Sequence, residues 1–239
     1  MSKGALMVEM QSLPDSYRAV VVGSTGGIGA AFVDSLMADK KCSEIMKFSR
    51  SSNPAINFDD EGSISGAAQS IDGEIHLLVD ATGFLSDEII KPEKTLRTID
   101  PAAMGRLFEI NTIGPALLMK HFMPLFPKSG RGIFATLSAR VGSIGDNQLG
   151  GWYSYRASKA ALNMLVKCAS VELARKNSDL IVTALHPGTV ETSLSDPFAG
   201  KRERLKPQTS AQMLLEVLDH LQPEDTGSFW DHRGERIEW

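Results

Sequence analysis

The sequence predicts a protein of the α/β class, a doubly wound parallel sheet with helices on both faces. Short apolar, β-branched runs alternate with longer stretches of helical spacing, which is the pattern of strand, helix and strand crossing over in one direction. Each short run is hydrophobic at nearly every position, as strands covered on both faces must be. The 239 residues, 42% of them hydrophobic, suffice for one core of that kind and call for no second domain. Residues 1–17 are read as a flexible amino-terminal extension and residues 18–239 as the folded domain.

Taken in order, "RAVVVGS" is the first strand and "GIGAAFVDSLMAD" its helix, followed by the strand "EIMKFSR" and a short helix in "SISGAAQSI". "IHLLVDATG" is the third strand. The long stretch "PAAMGRLFEINTIGPALLMKHFMPLF" starts with Asp100 as a cap and Pro101 in the first turn, and Pro115 predicts a bend or break inside it. "GIFATLS" and "LIVTALHPG" are strands separated by a helix over residues 153 to 176, and "TGSFWDHRGERIEW" ends the chain as a strand with a turn at Gly234. The irregular segment "SLSDPFAGKRERLKPQTS" is rich in polar residues, proline and charge; loops of that length in α/β enzymes often cover a site.

Charge and composition narrow the function classes. With 25 basic and 29 acidic residues interspersed, the net charge of −4 lacks the footprint of a nucleic-acid binder. Cys42 and Cys168 fit neither a disulfide framework nor a metal ligand set, which favours a reducing compartment. The opening residues lack the apolar core of a signal peptide, and no window reaches the roughly 20 apolar residues of a membrane span, so a cytoplasmic protein is expected. His76, His121, His220 and His232 have no ligand-like spacing and no metal is expected, while His186 precedes a Pro-Gly turn beside the expected cofactor pocket. Met104, Met119, Met123 and Met164 fall on helical faces as core or subunit-contact residues.

"VVVGSTGGIGAAF" runs from the first strand into the first helix, with Gly23, Gly27 and Gly29 spaced G-x-x-x-G-x-G. Glycine permits a tight turn and lets backbone N–H groups approach a diphosphate at the positive helix end, so Gly23, Ser24, Thr25, Gly27, Ile28 and Gly29 are candidate dinucleotide contacts. The plainer reading is a structural βα turn. No Gly-Lys-Ser/Thr follows, which disfavours a triphosphate loop. An acid at the end of the next strand would hold a ribose hydroxyl; "KFSRSSN" offers Ser49, Arg50 and Ser51 instead, which suits a 2′-phosphate and therefore NADP(H) over NAD(H), unless Arg50 is simply solvated.

In "YSYRASK", residues four apart stack on one helix face while residues six apart diverge, so Tyr155 pairs with Lys159 and Tyr153 does not. Tyr153 is read as a packing or substrate-side residue. A chance Tyr-x-x-x-Lys on an amphipathic helix is the alternative.

With the glycine turn and the Tyr-x-x-x-Lys pair on one chain, the sequence resembles the short-chain dehydrogenase/reductases, a Rossmann-fold family, over about residues 18 to 192. "SARVGSIGDNQLGGWYSYRASKAALNM" is most similar to the branch of the C-factor signalling proteins and the sniffer-type carbonyl reductases. The resemblance implies that Tyr155 is the proton donor and that Lys159 favours its phenolate and bonds the nicotinamide ribose, a tuning that a phenol near pKa 10 needs at neutral pH. It implies further that Asn111 in "FEINTIGP" anchors a relay water, that Asn57 stands where an adenine-contacting Asp is usual, and that Pro187, Gly188, Val190 and Thr192 touch the nicotinamide carboxamide.

Two departures stand out. The family's "NNAG" reads Asp80-Ala81-Thr82-Gly83, keeping the glycine but losing both amides, so cofactor contacts from Ala81, Thr82 and Gly83 are expected to be altered. The paired serines ending the fourth strand read Ser138-Ala139, so the catalytic serine position is alanine. Loss of one such hydrogen bond costs about 2.7–4 kcal/mol, or ~10²–10³ in rate, which weakens catalysis without abolishing it. Ser138 and Ser143 are the candidates to compensate, although side chains of successive strand residues face opposite sides.

These readings imply an NADP(H)-dependent oxidoreductase moving hydride between nicotinamide and a small carbonyl or alcohol substrate. The alternatives are a nucleotide-binding signalling or regulatory protein of the C-factor type with weakened catalysis, and, more remotely, a methyltransferase using the same turn for S-adenosylmethionine. Related proteins bury the helices around Asn111 and Tyr155 between subunits, so a homodimer or homotetramer is expected.

Overall fold

Every apolar run named above forms a strand in the computed structural model, which describes residues 8–198 and 204–239. The strands are β1 Tyr17–Val22, β2 Cys42–Phe48, β3 Leu77–Asp80, β4 Gly132–Leu137, β5 Leu180–His186 and β6 Ser228–Asp231. They make one six-stranded sheet in the order β2-β1-β3-β4-β5-β6, parallel throughout. The helices are α1 Gly27–Ala38, α2 Glu61–Gln69, α3 Pro101–Phe108, α4 Gly114–Phe122, α5 Tyr153–Leu173 and α6 Pro207–His220.

The two-residue alternation of strands sorts the core into two layers. Ala19 and Val21 of β1 pack with Phe32 and Leu36 of α1 and Leu214 and Leu218 of α6. Val20 and Val22 face the other way, toward Ile64 of α2, Leu118 and Phe122 of α4, and Leu162 and Val166 of α5. Strand order reverses between β1 and β3, so a crevice opens there at the carboxyl ends of the strands, the place where such sheets bind ligands.

Three local outcomes bear on the expectations. The extension is not loose from residue 8 onward: Met10 and Leu13 are buried, and the carboxylate of buried Asp39 accepts from the Met10 amide at 2.9 Å and the Tyr17 hydroxyl at 2.8 Å. Residues 1–7 lie outside the described residues. Within the long central stretch, a π-helical turn, Glu109–Ile113, separates α3 from α4, and Pro115 sits in the first turn of α4. Proline has no N–H to offer the carbonyl four residues back, that of Asn111, which is why the regular ladder gives way at this point. The chain then closes with β6, a left-handed Gly234 and Trp239 stacked on Phe229 at 5.8 Å.

Candidate active site

The turn after β1 is built from backbone. Gly23 has φ +79, and a Cβ on Gly29 would stand 2.1 Å from the Gly23 carbonyl oxygen, so a side chain at either place would force the chain apart. A Cβ on Gly27 would meet Thr192 Cγ2 at 2.9 Å, which brings the segment after β5 onto the glycine turn. The Ser24 hydroxyl donates to the Phe48 carbonyl at 3.1 Å and ties the turn to β2, while Ile28 faces the core. This is a cradle with room for a diphosphate and none for side chains, at the amino end of α1.

Beside it a cleft of 270 Å³ is lined by Gly23, Thr25, Ser49, Arg50, Asn57, Ala81, Thr82 and Gly83 among others. Ser51 is exposed and not among the lining residues, its hydroxyl 3.1 Å from that of Ser49 in a turn closed by Ser52. Arg50 is exposed and makes no side-chain hydrogen bond or ion pair among the described residues, leaving its whole guanidinium fork available to a ligand. Sequence reasoning missed Phe58, Arg106 and Ile110 on the same walls. Arg106 is ion-paired with Asp59 and Glu109, a contact from a different element that no local pattern announces.

Asp80 does something other than replace an amide at the cofactor. It is fully buried, and its carboxylate accepts from the Thr82 amide at 3.0 Å and from the hydroxyls of Thr82 and Thr136 at 2.6 and 2.7 Å. Burial pushes its pKa up against those hydrogen bonds and the positive charge of Lys159.

A second cleft, of 380 Å³, is lined by Tyr155, Ala139, Trp152, Arg156, His186, Gly188 and Thr189, with Leu194, Ser195 and Phe198 on the loop side. Gly150 and Gly151 have positive φ, and Trp152 follows in the left-handed region at φ 52, a conformation that costs a non-glycine residue about 1 kcal/mol or more. Its amide donates to the Glu93 carbonyl, and the buried Glu93 carboxylate accepts from the amide and hydroxyl of Ser154 at the start of α5. The Trp152 ring thereby meets Tyr155 edge-on at 6.1 Å and Phe198 at 5.2 Å.

Burial pushes the Tyr155 phenol up to about 12, and no side chain among the described residues bonds its hydroxyl. Burial brings Lys159 down to about 8, opposed by the charge of Asp80, and its ammonium donates to the Leu137 carbonyl at 2.8 Å. Burial is the cause that raises Tyr155, and the Lys159 ammonium is anchored on β4 through the Leu137 carbonyl. A Cβ on Gly83 would stand 3.7 Å from Lys159 Nζ, an ordinary contact distance, so the lysine head lies next to this wall of the first cleft.

The Asn111 amide is fully engaged: Oδ1 accepts from the Phe84 amide at 2.8 Å, and Nδ2 donates to the Phe84 carbonyl at 2.8 Å and to Ser158 Oγ at 3.2 Å. Its side chain therefore clamps the loop after β3 to α5, leaving its main chain for any relay water. Ser138 does not face the second cleft. Its hydroxyl donates to Asn163 Oδ1 at 2.7 Å inside the protein, while Ala139 takes the wall position, as the alternation of strand side chains dictates. Ser143 is also engaged, accepting from the Asp146 amide at 3.0 Å. Both candidates to replace the serine thus point elsewhere.

The segment after β5 lies between the two clefts. Pro187 O accepts from Ser210 Oγ at 2.8 Å, Gly188 has φ +80, and Val190 is buried and bridged to Leu205. His186 lines the second cleft with Nδ1 unbonded, and burial takes it down to about 4, so it is neutral at pH 7. Among the described residues no group of three His, Cys, Asp or Glu could hold a metal ion, and no helix is long and apolar enough to cross a membrane.

The short chain dehydrogenase family profile matches residues 57–203, beginning only after the glycine turn. The chain belongs to the short-chain dehydrogenase family. It is 36% identical over 144 residues to the C-signal protein of Myxococcus xanthus, a match spanning 60% of this chain and 83% of that protein. It is 35% identical over 142 residues to the 1-hydroxy-2-glutathionyl-2-methyl-3-butene dehydrogenase of a Rhodococcus strain, spanning 59% of this chain and 61% of that enzyme. It superposes on the NADPH-bound carbonyl reductase from chicken fatty liver with a TM-score of 0.81 at 27% identity, covering 95% of this chain and all of the other. The fold of the Drosophila melanogaster carbonyl reductase Sniffer is similar as well, with a TM-score of 0.80 at 21% identity, covering 95% of this chain and all of that one.

Proposed function

We infer that the protein is an NADP(H)-dependent reductase or dehydrogenase acting on a small carbonyl or alcohol compound, with Tyr155 as the proton donor and acceptor. The observation that carries this reading is Tyr155 lining an open cleft, its hydroxyl unbonded and one helical turn before buried Lys159. A bound NADPH would supply the hydride for the carbonyl carbon. The residues of the chain bind, orient and move the proton: Gly23, Gly27 and Gly29 admit the diphosphate, and Arg50, unpaired on the cleft wall, suits a 2′-phosphate. The raised pKa of Tyr155 keeps the phenol protonated at pH 7, ready to donate as the oxyanion forms. Asn111 acts as a positioning residue through Phe84 and Ser158.

Purified protein with NADPH and a panel of aldehydes, ketones and quinones should consume the nicotinamide absorbance, and Tyr155→Phe should lower the rate by ~10²–10⁴ while binding NADPH as before. Equal inertness of both proteins would end the reading.

A second reading, a nucleotide-binding signalling protein with weakened turnover, is favoured by Ala139 on the cleft wall and by the similarity to C-signal. A homo-oligomer is also part of this proposal, because Ile113 on the π-helical turn and Met164 and Val171 on α5 leave apolar surface exposed; light scattering tests it.

A further inference from the structure

We propose that the cleft beside Tyr155 accepts a carbonyl compound that carries an anionic group, and that Arg156 is the residue that reads this charge. This deepens the reductase reading and rests on it for the position of the reacting carbonyl. Arg156 follows Tyr155 on α5 and lines the same cleft. Its guanidinium is held in place by carbonyls: Nε donates to Gly151 O at 3.0 Å and Nη1 to Val141 O at 3.2 Å. Neither partner supplies negative charge, and among the described residues Arg156 has no ion pair, with Nη2 making no hydrogen bond.

The other charged groups of the cleft are already matched. Arg140 is neutralised by Asp231 at 2.9 Å and Asp146 at 3.8 Å. His186 is uncharged at neutral pH, and Asp146 faces Arg140. Among the described residues Arg156 is the lining cation of this cleft with no carboxylate in ion-pair contact; the one acid whose charge acts on it, Asp146, lies 3.8 Å from Arg140. It sits half-buried, where a cation is less well hydrated than in open water and a ligand carboxylate gains most from pairing with it. Around it Leu85, Leu149, Leu194, Trp152 and Phe198 form apolar walls that suit a hydrocarbon spacer but offer no second place for charge. The chemical class that fits is a compound with its carbonyl at Tyr155 and a carboxylate-type group across an apolar or aromatic spacer.

The test compares para-carboxybenzaldehyde with its uncharged methyl ester. On protein saturated with NADP⁺, calorimetry should find the acid bound about tenfold or more tighter than the ester, and with NADPH its KM should be lower by a similar factor. The ratio should fall toward one in Arg156→Met, stay intermediate in Arg156→Lys, and shrink as salt is added. Ester bound as tightly as acid by the wild-type protein, or an unchanged ratio in a folded Arg156→Met, would overturn the proposal. If the variant does not fold, the wild-type ratio and its salt dependence decide alone. Preferential binding of the acid with neither aldehyde reduced would refute the reductase reading and leave the anion site standing; reduction of both without preference would do the reverse.

Discussion

The two clefts open along the carboxyl ends of one sheet but are made of different material. The cofactor side is shaped by backbone: φ +79 at Gly23, a 2.1 Å clash waiting at Gly29, a Thr192 methyl pressed on Gly27. The proposed substrate side is shaped by side chains, with Tyr155 and Arg156 on α5, Ala139 just after β4, and Trp152 and Phe198 from two further segments. Backbone constraints admit one residue type and leave little freedom to vary, whereas side-chain walls can change one residue at a time. Ala139 stands on such a wall.

Substitutions should separate the two sides. The largest effect is expected from Gly29→Ala, whose Cβ must displace the Gly23 carbonyl: thermal denaturation should show a loss of more than about 2 kcal/mol, and calorimetry a loss of NADPH binding. Unchanged binding would mean that the cradle is not made by backbone. Next, Ala139→Ser restores a hydroxyl on the cleft wall and should raise kcat by up to ~10² without altering NADPH affinity. A rise from near zero would mark a protein that has lost turnover; a modest rise would mark an enzyme that works without the serine.

Smaller again is Arg50→Ala, which should weaken NADPH about tenfold and leave NADH unaffected, since the loss is one charge-assisted contact at an exposed site. The smallest effect is on pH dependence. Tyr155, at about 12, stays protonated through the working range, while Lys159, at about 8, loses its charge as pH rises through that value, so the rate of reduction should fall several-fold on the alkaline side. Asp80 raises the Lys159 pKa, so Asp80→Asn should move this limb to lower pH; a limb that stays in place would remove Asp80 from the electrostatics of the site.

What could be read in the sequence follows the same division. The alternation of apolar runs gave the sheet, and the glycine spacing gave the cradle, because both are local and steric. The placement of Tyr155 and Lys159 one turn apart on one helix followed from helical geometry, and the orientation of Ala139 against Ser138 from strand alternation. What escaped depends on contacts between distant segments. Met10 and Leu13 are buried where Asp39 accepts from the Met10 amide and Lys41 donates to the Leu13 carbonyl, both from nearly 30 residues on. The burial that raises Tyr155 is a property of the assembled cleft, and the engagement of Asn111 with Phe84 arises across the loop after β3. Trp152 left one usable signal, the Gly150-Gly151 pair before it, since consecutive glycines announce the left-handed turn that carries the ring over Tyr155.

Isotope transfer bears most directly on the chemistry assigned to Tyr155. NADPH carrying deuterium on the transferred face of its nicotinamide ring is incubated with a carbonyl substrate, and the product is weighed by mass spectrometry. The wild-type protein should place a single deuterium on the former carbonyl carbon for each NADPH consumed, with almost none appearing from Tyr155→Phe. Unlabelled product, or equal labelling by both proteins, would contradict hydride transfer completed by the Tyr155 proton.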